Sequence, residues 1–169
     1  VRPAVTLNPL YSYTGFLEIK EQAKKICGPT QMAFVKGGVQ SNGHVTNALL
    51  QTHTELLALV TDMLNGYNAI LQRLTLAEVE ARLPAMRALA EQILGMKATE
   101  VIFHDRKADI TIKVPMEKGV PQGENTSTIL FCLTIAIMMR KLEDEFGPEG
   151  IKFLLVSDNI TTFGNLEQD

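Results

Sequence analysis

FLLVSDNITTFG, residues 153–164, is the stretch whose reading decides the fold. An apolar run leads into Asp158, Asn159 follows, and a second β-branched and apolar run comes after. Two extended runs joined by a short polar turn read as a hairpin. A carboxylate at the tip of such a hairpin can serve as a metal ligand, as half of a damaged acidic pair, or as an ordinary solvated turn residue. A second aspartate shares the setting: Asp62 follows LLALVT, another strand-like run. If the two strands are neighbours, both carboxylates arrive at one edge of a sheet. Crowded carboxylates repel, and a hard divalent cation such as Mg²⁺ or Mn²⁺ relieves the repulsion. Two such ions about 3.5–4 Å apart can activate an attacking oxygen and stabilise a leaving one.

Outward from these strands the pattern is mixed. Pro3, Pro9 and Gly15 keep the first fifteen residues extended and turn-like. Phe16 to Cys27 reads as an amphipathic helix ended by Gly28-Pro29. The glycine-bearing FVKGGVQSNG follows, then a helix from His44 to Thr52 started by Ser41 or Asn42. ELLALVT fits helix or strand by pattern, and a strand in its second half, ending at Asp62, is favoured. Thr75 is expected to cap a helix running to Leu83, and Pro84 to open another running to Leu94. Residues 99–104 and 110–115 form an expected hairpin around the turn DRKAD. KGVPQGENTS is a loop leading into the longest helical pattern, Thr126 to Phe146, which GPEG breaks before the strand from Ile151 to Ser157 and a return strand from Ile160 to Phe163. Helices and strands in this order predict an α+β fold rather than a regular βα alternation.

The 169 residues, 46% hydrophobic and 21% charged, suit one domain with its own core. No apolar run reaches the roughly 20 residues a membrane-spanning helix needs. The N-terminal VRPAVTLNPL does not read as a signal peptide. Cys27 and Cys132 sit in apolar, helix-like surroundings and are expected as buried free thiols, which fits a reducing intracellular compartment but does not choose nucleus, mitochondrion or cytosol; the expected compartment is the nucleus before the cytosol. His44, His53 and His104 lack partners at zinc-ligand spacing. The net charge of −3 argues against strong non-specific nucleic-acid binding by the chain as a whole. Residues 1–38 nevertheless carry five basic and two acidic side chains, and the remainder 11 basic and 17 acidic. Phosphate contact and metal binding could thus fall to different parts of the chain.

Five segments taken together resemble reverse transcriptases, most closely those of non-long-terminal-repeat retrotransposons. TDMLNGYNAILQR, Thr61 to Arg73, resembles the first catalytic motif, with Asp62, Asn65, Tyr67, Asn68 and Arg73 at its offsets and Gly66 where alanine is usual. GVPQGENTSTILFCL resembles the Gln-Gly-Asp-Pro-x-Ser-Pro-x-Leu-Phe motif through Gln122, Gly123, Ser127, Leu130 and Phe131. FLLVSDNITTFG takes the place of the Tyr-x-Asp-Asp hairpin. RPAVTLNPLYSYTG and GPTQMAFVKGGVQSNGHVTNAL resemble the fingers segments. The resemblance covers nearly the whole chain in the family's order. It implies a polymerase-like palm, an antiparallel sheet backed by helices, with partial helical fingers: residues 1–54 fingers-like, 55–169 palm-like, no thumb. It implies Asp62 and Asp158 as catalytic metal ligands, with Asn159 beside them and the Met63 carbonyl facing the ion. Tyr67 would lie under the incoming sugar, Gln122 and Gly123 would approach the nascent base pair, and Arg2 would hold the triphosphate. The implied cofactor is Mg²⁺ or Mn²⁺, and the implied partners are an RNA or DNA template–primer and, in an active enzyme, a deoxynucleoside triphosphate.

The departures bear on activity. Asn159 stands where the family has its second hairpin aspartate, and Val156 where it has tyrosine. Glu124, Asn125 and Thr128 replace an aspartate and two prolines, which slackens the loop, and Gly66 adds slack beside Asp62. The chain ends soon after the hairpin. The expectation is a fingers–palm module with impaired or absent polymerase activity, a retroelement fragment or a domain reused as a nucleic-acid- or protein-binding scaffold. The alternative is an active RNA-directed DNA polymerase.

Overall fold

The computed structural model describes residues 17, 19–94, 99–116, 118–120 and 126–165. Helix α1 covers residues 19–27 and stops where Gly28 turns into the left-handed region at φ +82°, its N–H bonded to the Lys24 carbonyl. A 3₁₀ turn, Met32–Phe34, leads into α2, Gly38–Thr52, and then β1, Leu56–Asp62. After a four-residue helix α3, Gly66–Ala69, come α4, Gln72–Arg82, a 3₁₀ turn at Pro84–Met86, and α5, Arg87–Leu94. Strands β2, Thr99–Asp105, and β3, Ile110–Met116, form a separate hairpin. Helix α6, Ser127–Phe146, precedes β4, Lys152–Val156, and β5, Asn159–Asn165. The architecture is α+β, as the order of patterns predicts.

Strands β1, β5 and β4 form one antiparallel sheet in that order. Alternation along the strands puts Phe153 and Leu155 on one face, where they join the main core. Helix α6 is the centre of that core. Ile129, Leu130, Phe131, Cys132 and Leu133 are consecutive and all buried, so this half of the helix is surrounded by protein. Val79, Leu83, Met86, Ala90 and Leu94 supply the helical side of the same cluster. The opposite face of the sheet carries Val60, Val156, Asn159 and Thr161, which line a groove of about 480 Å³ whose other wall is α2.

Two helix starts differ from the sequence reading. Helix α2 begins at Gly38, ahead of Ser41 and Asn42. Its first turn packs so closely on the Met32 carbonyl that only glycine fits, and this contact outweighs glycine's poor helix propensity. Helix α4 begins at Gln72, and Thr75 lies fully buried inside it instead of capping it. The Thr75 hydroxyl is 2.9 Å from that of Thr134 on α6 and donates to the Leu71 carbonyl at 3.3 Å, so it is spent on interhelix packing. Among the described residues no helix is long and apolar enough to cross a membrane.

Cys27 on α1 and Cys132 on α6 are both free thiols lining a small cavity with Gln31 and Leu155. Burial pushes the Cys27 thiol up to about 12, and burial, then Cys27 and Asp158, push Cys132 well above the usual thiol range. Both thiols stay protonated in the folded chain when the unfolded chain begins to ionise. Their contribution to stability is therefore complete below pH 9.0 and is lost as pH rises from there towards about 12. The urea midpoint is expected to fall across this window, and to fall less in a Cys27→Ala, Cys132→Ala double variant.

Candidate metal and nucleotide site

The β4–β5 turn consists of Ser157 and Asp158, flanked by the paired residues Val156 and Asn159. Ser157 sits at φ +59°, a left-handed conformation that a non-glycine residue holds only when its surroundings enforce it. Several contacts do so. The Ser157 N–H donates to Gln31 Oε1 at 2.8 Å, its carbonyl accepts from Gln31 Nε2 at 3.5 Å, and its hydroxyl lies 2.6 Å from the Tyr67 hydroxyl. The turn is thus gripped by two segments far from it in the chain.

The same turn meets the end of β1. Asp62 is the direct cross-strand partner of Asn159, and the Met63 N–H donates to the Asp158 carbonyl at 3.1 Å. Direct cross-strand partners hold their Cβ atoms about 4.5–5.5 Å apart on one face. Asp62 and Asn159 therefore share the face that opens on the α2 groove, and Asp158 occupies the turn at its end. Asp62 and Asn159 are exposed and Asp158 half-buried, and the Asn159 amide reaches Asp158 Oδ1 at 3.5 Å. Chain positions nearly a hundred apart come to one end of the sheet, as the shared strand-end setting of the two aspartates anticipates.

The donors there are two carboxylates and one neutral amide oxygen. Among the described residues no set of three or more Asp, Glu, His or Cys side chains converges to hold a metal ion. Hard oxygens of this kind suit Mg²⁺ or Mn²⁺, and two formal negative charges match one dication better than two. The Met63 carbonyl already accepts from the Gly66 N–H at 3.1 Å, which leaves it a single lone pair for an ion.

Tyr67 is half-buried and stacked on Phe131, ring centroids 4.3 Å apart and planes 9° from parallel. Its hydroxyl also lies 3.3 Å from Thr128 Oγ1 on α6. One side chain thus ties the segment after β1 to the hairpin turn and to the start of α6. Gly66 beneath it is buried, and a Cβ there would come within 3.2 Å of both Met63 Cβ and the Phe131 ring. The absent side chain is what lets the ring pair sit close, so Gly66 provides room for packing where the sequence suggested slack.

The segment before the glycine loop is anchored on α3, on Ile70 just after it and on the start of α4. The Gly119 N–H donates to the Ile70 carbonyl at 2.7 Å, the Val120 N–H to the Tyr67 carbonyl at 2.8 Å, and Gln72 Nε2 to the Gly119 carbonyl at 3.0 Å. Gly119 takes φ +86° with its α-carbon against the Asn68 backbone, which only glycine permits. Gln122, Gly123, Glu124 and Asn125 lie outside the described residues, as does Arg2. Gln31 was missed as a site residue. The sequence offered only a glutamine near a glycine-rich stretch, and nothing local signals that its amide reads a backbone 126 residues away.

No protein-family model matches the sequence, nor does any curated protein. Solved structures do. Apo telomerase from Candida tropicalis matches with a TM-score of 0.62 at 13% identity, over 97% of this chain and 31% of that one. Telomerase from Candida albicans in complex with a fragment of telomeric RNA matches with a TM-score of 0.52 at 12% identity, over 94% of this chain and 30% of that one. The Candida tropicalis enzyme truncated from its C-terminal domain matches at 0.50 and 12% identity, over 99% and 39%. At such identities the likeness is one of fold, and the fold is reverse-transcriptase-like. The chain spans roughly a third of the telomerase chains it matches.

Proposed function

We propose that the chain is a fingers–palm module of the non-long-terminal-repeat reverse-transcriptase type, with residues 1–54 fingers-like and 55–169 palm-like, and with polymerase activity impaired or absent. The observation that carries this reading is the pairing of Asp62 with Asn159. An aspartate at 159 would put two like charges directly opposite each other, a destabilising arrangement unless a cation sits between them. Asparagine removes that repulsion and one ligand charge together. The sheet end is then stable without an ion and binds one weakly. Asp62, Asp158 and the Asn159 Oδ1 would hold the ion, which when bound would supply a Lewis acid for a phosphoryl oxygen. Asp62 and Asp158 would orient it, while Tyr67, Gln122, Gly123 and Arg2 would face the nucleotide. The partner class we favour is RNA or an RNA–DNA duplex. The basic balance of residues 1–38 and the fold shared with an RNA-bound telomerase support it. A protein partner is the other outcome.

The second reading, an active polymerase that also takes a deoxynucleoside triphosphate, is favoured by one fact: Asp62 and the Asp158 turn do meet. Primer extension on an RNA template with Mg²⁺ or Mn²⁺ separates the two. Extension by the natural chain that Asp62→Ala abolishes would establish the active reading. Asn159→Asp supplies a sharper comparison. Without metal it is expected to lower stability by about 0.2–1 kcal/mol. Added Mg²⁺ should recover the loss and bind more tightly than in the natural chain. Equal metal affinity in both would refute a metal site here.

A further inference from the structure

Gln31 lies between α1 and the Met32–Phe34 turn, and only 4% of its surface is exposed. Residues 30 and 31 run alongside β4: the Leu155 N–H donates to the Thr30 carbonyl at 2.8 Å, and Gln31 forms a parallel bridge with Leu155. This brings the Gln31 side chain to the end of β4, where Oε1 accepts from the Ser157 N–H at 2.8 Å and from the Ala33 N–H at 3.1 Å. Nε2 reaches the Ser157 carbonyl at 3.5 Å. A neutral amide is the one side chain of this length that can accept and donate at once, as reading both polar groups of one peptide-linked residue requires. The residue it reads is the one in the left-handed conformation, and the next residue is Asp158.

We infer that Gln31 is a positioning residue for Asp158: it holds Ser157 at φ +59° and so fixes the place of the next residue, Asp158, at the sheet end where Asp62 pairs with Asn159. The inference rests on the proposed metal reading for its functional consequence, though not for its structural content. Tyr67 completes the grip through the Ser157 hydroxyl. The two act on different atoms, so losing one leaves the turn partly held.

The test compares Gln31→Met, which keeps volume and loses the acceptor, with Gln31→Glu, which keeps the acceptor. Amide hydrogen exchange and Mn²⁺ titration are measured on the full chain, with Leu94→Ala as a core variant remote from the turn. In Gln31→Met the Ser157 amide is expected to exchange about tenfold faster relative to the core strands, because a buried N–H has lost its partner. Mn²⁺ affinity should fall several-fold. Gln31→Glu should restore Ser157 protection, and Leu94→Ala should change neither readout after correction for stability. Uniform acceleration of all amides in Gln31→Met, or Ser157 protection lost equally in Gln31→Glu, would overturn the inference. If Gln31→Met does not fold, the Gln31→Glu exchange pattern decides alone. A natural chain that binds no Mn²⁺ sinks the metal reading and leaves the exchange result to judge Gln31.

Discussion

Gly38→Ala is expected to be the most damaging glycine-to-alanine change among the described residues, costing about 3 kcal/mol or more, the upper end of overpacking effects. A Cβ at Gly38 would stand 2.0 Å from the Met32 carbonyl oxygen and 3.0 Å from its carbon. These are backbone atoms and cannot swing aside as a side chain would. They belong to the short turn Met32–Phe34, which follows directly on Gln31 and carries the buried Phe34. Relief therefore requires either α2 to lift from the turn or the turn to lift from the sheet. Either shift widens the α2 groove and pulls on the segment that holds Ser157. Thermal or urea unfolding checks the magnitude. Gly43→Ala, in the same helix with open space around the added Cβ, is the control and should be neutral or slightly stabilising. Equal effects at the two positions would show that helix propensity, not the Met32 contact, governs this region.

Phe131→Ala carries the second large effect. The ring is fully buried, stacks on Tyr67 and touches the space left by Gly66. Removing a buried aromatic typically costs about 3–5 kcal/mol. Domains of this size have about 5–15 kcal/mol in all, so the variant should be marginal at room temperature. Phe131→Leu fills much of the volume without a ring and should lose distinctly less. The informative difference lies at Tyr67. With leucine beneath it the tyrosine loses its stacking partner but keeps its bonds to Ser157 and Thr128. Tyr67→Phe makes the complementary change, keeping the stack and losing the 2.6 Å contact to Ser157. If Tyr67 braces the turn, Tyr67→Phe should disturb the Ser157–Asn159 amides more than Phe131→Leu does, at a smaller cost in stability.

The two hairpins show where the sequence is legible. The hairpin at 153–164 was readable because β-branched and apolar residues flank a short polar turn, and the β2–β3 hairpin because its turn is self-contained. There the Asp105 carboxylate accepts from the Lys107 N–H at 2.8 Å and the Ala108 N–H at 3.3 Å. Local chemistry decides local structure in both. The convergence of Asp62 on the Asp158 turn was reachable from their like settings and from the order of the motifs, though nothing within either strand dictates the β1–β5 register. Gly38 and Thr75 read differently in the structure because each is settled by a packing contact that the local pattern does not show. Gly38 answers to the Met32 backbone and Thr75 to Thr134 on another helix. The resemblance gives Tyr67 a nucleotide-facing role, while its stacking on Phe131 and its hydroxyl contacts to Ser157 and Thr128 depend on partners distant in sequence that no local pattern marks. Gln31 was invisible for the same reason as Thr75: its partner is the backbone of Ser157, which leaves no mark in side-chain spacing.

Under the proposed reading, Asp62 and the Asp158 turn would form one cation-binding end of the sheet, weakened by Asn159. The most direct measurement is the paramagnetic broadening of amide resonances by substoichiometric Mn²⁺. Broadening is expected to centre on residues 61–64 and 157–160, to be abolished by Asp62→Asn and to extend to lower Mn²⁺ concentration in Asn159→Asp. Broadening centred on another acidic cluster such as Glu143–Glu145, with residues 61–64 and 157–160 left sharp, would contradict it.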